Sequence, residues 1–324
     1  MNTLHKHSSR DAASLAVMPE RRPGRGLLYY LMRDRYLYLF LLPAMSFFLL
    51  FKYVTLFGEI IAFKDFRLLQ GIWGSPWVGL KHFRILFHSQ DFWMILRNTL
   101  LLNLYNLIVA FPAPIVLAIL LNEVRINWFK RVVQNMLYLP FFISWVVLGG
   151  IITSLLSPST GVVNALLQLF GQEPIFFMTS TRWWPAVFSA STVWQSAGWG
   201  TIIYMAAITS IDPGLYEAAK MDGASKLRQI WHITLPGIRG TIAILLVLQM
   251  GKMMDVGFEQ VLNLQNPAVF SVSDVISTYV YRVGLQNAQY SLATAVGLFQ
   301  GVISLILVLT VNKTVKKLGE GGLW

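Results

Sequence analysis

Long apolar runs separated by short polar islands dominate the chain. Asn98 to Leu121 carries no charged residue, and neither does Tyr290 to Val311. A bilayer core is crossed by about 20 apolar residues in helix. Six segments meet that requirement: Tyr36 to Val54, Asn98 to Leu121, Val132 to Leu156, Trp184 to Ile211, Gly240 to Val256 and Tyr290 to Val311. Only the fifth is interrupted towards its end by an acid and a base, Lys252 and Asp255. The pattern predicts an all-α integral membrane protein with six transmembrane helices.

Composition supports that class. The chain has 324 residues, 55% hydrophobic and 13% charged, against about 25% charged in soluble domains. Mean hydropathy is +0.56. The net charge of +11 could mark a nucleic-acid binder, but its distribution argues for a membrane protein without nucleic acid. Lys and Arg concentrate on cytoplasmic loops. With the N-terminus inside, those loops hold Arg125, Lys130 and Arg131, then Lys220, Lys226, Arg228 and Arg239, then Lys313, Lys316 and Lys317. The two later outside loops hold only Arg182 and Arg282. The first is less clean, with Lys64, Arg67, Lys81 and Arg84. Both termini are therefore expected inside a bacterial cytoplasmic (inner) membrane. The expected divisions are a basic tail (1–35), a first span with its external loop (36–97), a five-helix core (98–312) and a short C-terminal tail (313–324). The basic first stretch has no cleavable signal pattern.

Several chemistries are excluded or disfavoured. There is no cysteine, so there is no disulfide and no thiolate site. His5, His7, His82, His88 and His232 have no metal-binding spacing. The 15 acidic residues are scattered, which argues against a membrane glycosyltransferase. A self-sufficient secondary transporter or channel usually shows internal repeats and intramembrane carboxylates. No repeat is evident, and Asp255 is the one carboxylate in a span. Trp73, Trp77, Trp93, Trp183 and Trp184 flank the outer ends of the spans, as an interfacial belt or as sugar-stacking surfaces.

One polar island has internal structure. Asp212 is suited to N-cap a helix that Pro213 begins, and Glu217 and Lys220 are spaced to pair. Ala218 and Ala219 remove bulk from one face. Gly223 offers a stop, Ser225 caps a second short helix to about His232, and Pro236 marks entry to the next span. This is either an ordinary connection or a docking element on the inner face.

The order Glu217-Ala218-Ala219, Gly223, Ile233, Leu235-Pro236 resembles the EAA loop of bacterial ABC importer permeases. Other segments resemble the sugar-transporting branch: Trp77 to Phe83, Phe92, Arg97-Asn98-Thr99, Trp194 to Trp199 and Tyr204 to Ile208. Gly251 to Glu259 is similar to the subgroup serving polysaccharide fragments, an alginate importer subunit among them. The resemblance implies a type I importer permease fold. It also implies a coupling helix within 212–236, with Tyr216, Glu217, Ala218, Ala219, Asp222, Gly223, Leu235 and Pro236 engaging an ATPase. The implied partners are a second homologous permease, two ATPase subunits and an extracytoplasmic solute-binding protein. The chain lacks G-x-x-x-x-G-K-[ST], so no cofactor is expected on it, and ATP and Mg are expected on the partner ATPase. The expected cargo is an oligosaccharide. Asn103, Asn106, Trp194, Gln195, Trp199, Gln249, Lys252 and Asp255 are candidate pathway residues, since polar groups in spans tend to face an interior. Lys252 and Asp255, three apart, either pair on a helix face lining the pathway or reach out to the interface. Lys52, Arg97 and Lys252 would suit an acidic sugar, because a bare carboxylate at low dielectric is costly.

Overall fold

The computed structural model describes residues 35–317. The predicted basic tail, up to residue 34, and the end of the C-terminal tail lie outside the described residues. Among the described residues the secondary structure is helical apart from one isolated bridge, Lys64 with Trp77. The chain divides into two units, residues 1–58 and 59–324.

The first unit contains most of α1, the helical run Arg35–Phe63. None of its described residues is buried, although Leu37, Phe40 and Phe57 are large and apolar. A helix that is apolar all round and buries none of its described residues is suited to hydrocarbon.

The second unit is built from α2 (Lys81–His88), α3 (Gln90–Glu123), α4 (Asn127–Phe142), α5 (Trp145–Leu155), α6 (Val162–Leu169) and α7 (Trp184–Thr209). It continues with α8 (Pro213–Met221), α9 (Lys226–Gly251), α10 (Phe258–Leu264), α11 (Ile276–Val280) and α12 (Tyr290–Lys317). The helices α1, α3, α9 and α12 are each long and apolar enough to cross a membrane. The pair α4 and α5 qualifies together, but is bent by 107°. The helix α7 is long enough at 26 residues, yet its Ser, Thr, Gln and Trp content leaves it less apolar than the others.

Two expectations about elements need correction. The predicted third span, Val132 to Leu156, is not one helix. Pro140 starts a tight turn through Phe142, and Ile143 and Ser144 are extended. Proline removes a helical donor and crowds the preceding turn, and here the chain changes direction. The predicted fifth span ends at Gly251, short of Val256. The Met254 carbonyl accepts from Gln300 (2.9 Å) and the Val256 carbonyl from Ser277 (3.1 Å), which holds the following turn in place. Pro236, expected at the entry to the next span, sits in the first turn of the regular stretch Leu235–Gly251 within α9. A widened π turn over Ile230–Thr234 lets the Leu235 N–H reach the Ile230 carbonyl, so the proline fits without breaking the helix. Pro112 in α3 follows the same device, a π turn over Asn106–Ala110.

Packing concentrates at few places. Trp184 and Phe188 stack at 5.5 Å in a cluster with Val261, Leu264 and Val275. The Trp184 indole donates to the Leu264 carbonyl at 3.0 Å, and the side chain is fully buried. Trp184 therefore belongs to the core, unlike Trp73, Trp77, Trp93 and Trp183, which are exposed. The second anchor is the Asn98-Thr99 pair. Asn98 donates to the carbonyls of Ser271 and Asp274, both at 3.1 Å, and the Ile276 N–H donates to the Thr99 hydroxyl at 3.0 Å. Two adjacent side chains of α3 thus satisfy the start of α11. The third is Gln260, whose amide donates to the Phe188 carbonyl and to the hydroxyls of Ser191 and Thr192, fixing α10 to α7. Without a hydrophobic drive inside a bilayer, such side-chain bonds and close packing hold helices together.

Candidate functional site

The polar island folds as the sequence predicts, with two additions. The Asp212 carboxylate accepts from the Gly214 N–H at 2.9 Å and caps α8, with Pro213 at its first position. Gly223 has φ +73°, a conformation that side chains resist, and the Ala224 N–H closes back on the Ala219 carbonyl at 2.8 Å. Ser225 accepts from the Arg228 N–H at 3.4 Å and opens α9. The second short helix is the first part of α9 rather than a separate piece. Tyr216 faces inward, its hydroxyl 3.0 Å from that of Thr234.

The outward side of α8 is uncovered. Leu215, Glu217, Ala218, Met221 and Asp222 are all exposed, Met221 at 88%, and Leu227 and Trp231 continue an apolar surface onto α9. Glu217 and Lys220 form no ion pair with each other among the described residues, so the predicted pairing is not seen and both charges stay available. Instead Lys226 bonds Glu123 at 2.7 Å, tying the loop to the end of α3. This pair joins residues about a hundred positions apart, and nothing in local spacing announces it. A notch of about 380 Å³ lies behind α8, walled by Ala219, Asp222, Arg228, Gln229 and His232.

The predicted pathway residues separate into three groups. Asn106, Gln249 and Lys252 line one cavity of about 350 Å³ between α3, α7 and α9. Thr192, Ser196 and Gly200 complete its wall. Asn106 sits on the widened turn of α3, and its side-chain oxygen is buried without a hydrogen-bond partner. Lys252 follows the last turn of α9, where a cation is favoured by the helix dipole. It is exposed, and no ion pair holds it among the described residues. Of the two alternatives for Lys252 and Asp255, pairing on a helix face does not occur. The helix has ended, and the two residues are joined only by the Asp255 N–H on the Lys252 carbonyl at 2.8 Å.

A second group surrounds the bend between α4 and α5. Trp199 stacks flat on Phe141, with ring centres 4.7 Å apart, and meets Phe142 edge-on. The Gln195 amide reaches the Phe141 carbonyl at 3.5 Å. Gly198 explains the close approach, since a Cβ there would overlap the Leu137 carbonyl. The third group stands apart. Asn103 is buried and donates to the Thr99 carbonyl of its own helix at 3.1 Å. Trp194 lines a separate apolar cavity of about 410 Å³ with Ile152 and Phe177. Thr192 and Ser196 were missed by sequence reasoning. Their signal was the small-residue spacing Thr192, Ser196, Gly200, which keeps one face of α7 polar and open.

Comparison with known proteins agrees with this architecture. Residues 110–317 match the family described as binding-protein-dependent transport system inner membrane component. The polygalacturonan/rhamnogalacturonan transport system permease protein YteP of Bacillus subtilis is 48% identical over 309 residues, 95% of this chain and 96% of the relative. Protein LplB of the same organism is 43% identical over 326 residues, covering both chains fully. Among solved structures, a bacterial ABC transporter involved in the import of the acidic polysaccharide alginate superposes with a TM-score of 0.83 at 43% identity, over 90% of this chain and 98% of the other. A bacterial alginate ABC transporter in complex with an alginate pentasaccharide-bound periplasmic protein gives 0.84 at 41%, over 92% and 99%. With an all-helical fold, several membrane-length helices and this match across most of its length, the chain belongs to the family of binding-protein-dependent transport system inner membrane components, as an integral permease subunit of an ABC importer.

Proposed function

We propose that this permease forms half of a translocation pathway for an acidic oligosaccharide, with the 350 Å³ cavity at Asn106, Gln249 and Lys252 as its contact site within the membrane. The observation that carries this is Lys252, a cation lining a cavity whose walls hold no carboxylate. Asn106 and Gln249 add amides suited to sugar hydroxyls. Two similar transporters, one named for polygalacturonan/rhamnogalacturonan and one involved in import of the acidic polysaccharide alginate, support the same class.

The Lys and Arg distribution supports six crossings with both termini in the cytoplasm, α7 being the least apolar and the bent α4–α5 pair acting as one crossing. The Glu217 loop then lies at the inner face. Its uncovered Leu215, Glu217 and Met221 form the docking surface for an ATPase subunit, where ATP and Mg are bound and hydrolysed. A second permease completes the pathway, a second ATPase completes the motor, and a solute-binding protein delivers cargo from outside.

The test is Lys252→Met in the assembled transporter, with uptake of acidic and neutral oligosaccharides compared. Acidic uptake is expected to fall about tenfold or more, the equivalent of one lost charge contact of about 1.5 kcal/mol, while neutral uptake changes little. Equal losses on both would sink the charge-selection reading.

A further inference from the structure

A second cavity is larger than the one around Lys252. A groove of about 620 Å³ runs between α3 and α7, nearer the end that the proposed orientation places outside. Its chemistry is segregated by depth. Arg97, Asn98, Thr181 and Arg182 form the outer end, and Leu101, Tyr105, Val109 and Ala190 form the length below. Neither arginine has a carboxylate partner among the described residues, and Asp274, the buried acid nearby in sequence to Val272 of the groove wall, is taken by Arg282 at 2.6 Å. Arg97 donates only to the Ser271 carbonyl and the Asn98 amide oxygen. Ser189, 5% exposed, also lines the groove and keeps its hydroxyl without a partner.

We propose that this groove binds an anionic phospholipid of the outer leaflet, its phosphate between Arg97 and Arg182 and one acyl chain along Leu101, Tyr105 and Val109. The dimensions agree. Arg97 and Val109 are separated by twelve helical steps, about 18 Å at 1.5 Å each, close to one leaflet of a core about 30 Å thick. The charge agrees too, because two unpaired guanidinium groups at headgroup depth suit a phosphate, which takes paired N–H donors. A sugar fits poorly here, since most of its hydroxyls would meet alkyl walls without a bonding partner. Arg97 therefore serves a site separate from Lys252. The lipid site follows from the membrane fold alone, and only the leaflet assignment rests on the proposed orientation.

The experiment uses the complete transporter, purified from nanodiscs containing equal phosphatidylglycerol and phosphatidylcholine, with retained lipid read by native mass spectrometry. One phosphatidylglycerol per copy of this chain is expected. Retention should fall about tenfold or more in Arg97→Gln/Arg182→Gln, given about 1 kcal/mol for each arginine. It should fall similarly in Ala190→Trp, which keeps both charges but fills the exposed groove wall. Arg84→Gln, an exposed arginine elsewhere, should retain lipid as the parent does. Undiminished retention in the first two variants would overturn the proposal. So would displacement of the lipid by an acidic oligosaccharide, or a photo-cross-linker at position 190 that captures the partner permease instead of lipid. Loss of transport in Lys252→Met with lipid retained would concern the substrate site alone.

Discussion

His82 is buried, and its ring nitrogen Nε2 donates to the Lys64 carbonyl at 3.1 Å. The same carbonyl accepts from Ser291 at 2.7 Å, and the Lys64 ammonium donates to the carbonyl of Ile72 at 2.8 Å. Burial lowers the His82 pKa below its ordinary value, the bond to Lys64 opposes this, Lys81 adds to the lowering and Asp65 offsets it. Folding thus favours the neutral ring. Its contribution is complete above the unfolded value of about 6.5 and is lost as pH falls from there through the lowered folded value. Hydrogen exchange across residues 59–88, corrected for intrinsic rates, should quicken between pH 7 and 5, and His82→Gln should flatten that dependence. An unchanged profile in the variant would assign the effect elsewhere. Single residues were readable in sequence where chemistry was unusual for its surroundings. Asn106, Gln249 and Lys252 stood out as polar groups in apolar runs, and they share one cavity. Asn103 stood out equally but turns into its own helix, because α3 is apolar on both its lipid and its protein faces and shows no phase from which to choose.

At the scale of elements, hydropathy found the runs but not their breaks. The average over Val132 to Leu156 stays apolar through the 107° bend, and the only local sign was Pro140. The π turns before Pro112 and Pro236 were likewise hidden, since a proline in an apolar run reads equally as a stop, a kink or a widened turn. The bend is held by α7, where Gly198 meets the Leu137 backbone and Trp199 lies on Phe141. Gly198→Val should push the two helices apart, costing about 3 kcal/mol or more by overpacking. The expected result is a chain that inserts but assembles poorly, measured as the yield of complete transporter relative to membrane-inserted chain. Parent-like yield and uptake would show that the contact is dispensable. The loop from Asp212 to Pro236 was the most legible element. Caps, a turn glycine and paired alanines are local features, and local features survive in sequence. Its ion pair from Lys226 to Glu123 is not local and was not legible.

The whole molecule is an incomplete object. In its first unit, the described part of α1 buries nothing. In its second, α8 leaves Leu215, Glu217 and Met221 exposed among the described residues. Both facts suit a subunit whose remaining surfaces meet lipid and other chains, and both were implied by the apolar runs and the one patterned loop. In the proposed function, the Glu217 surface receives the push of ATP hydrolysis on another subunit. The most direct measurement is ATP-driven oligosaccharide uptake by the reconstituted transporter carrying Glu217→Arg, with ATPase co-purification and membrane insertion followed in the same preparations. Insertion should be unchanged, ATPase co-purification should fall or become uncoupled from transport, and uptake should drop about a hundredfold, as for loss of a buried charged contact of about 2–3 kcal/mol. Normal uptake with the ATPase still bound and coupled would contradict the docking role of this loop.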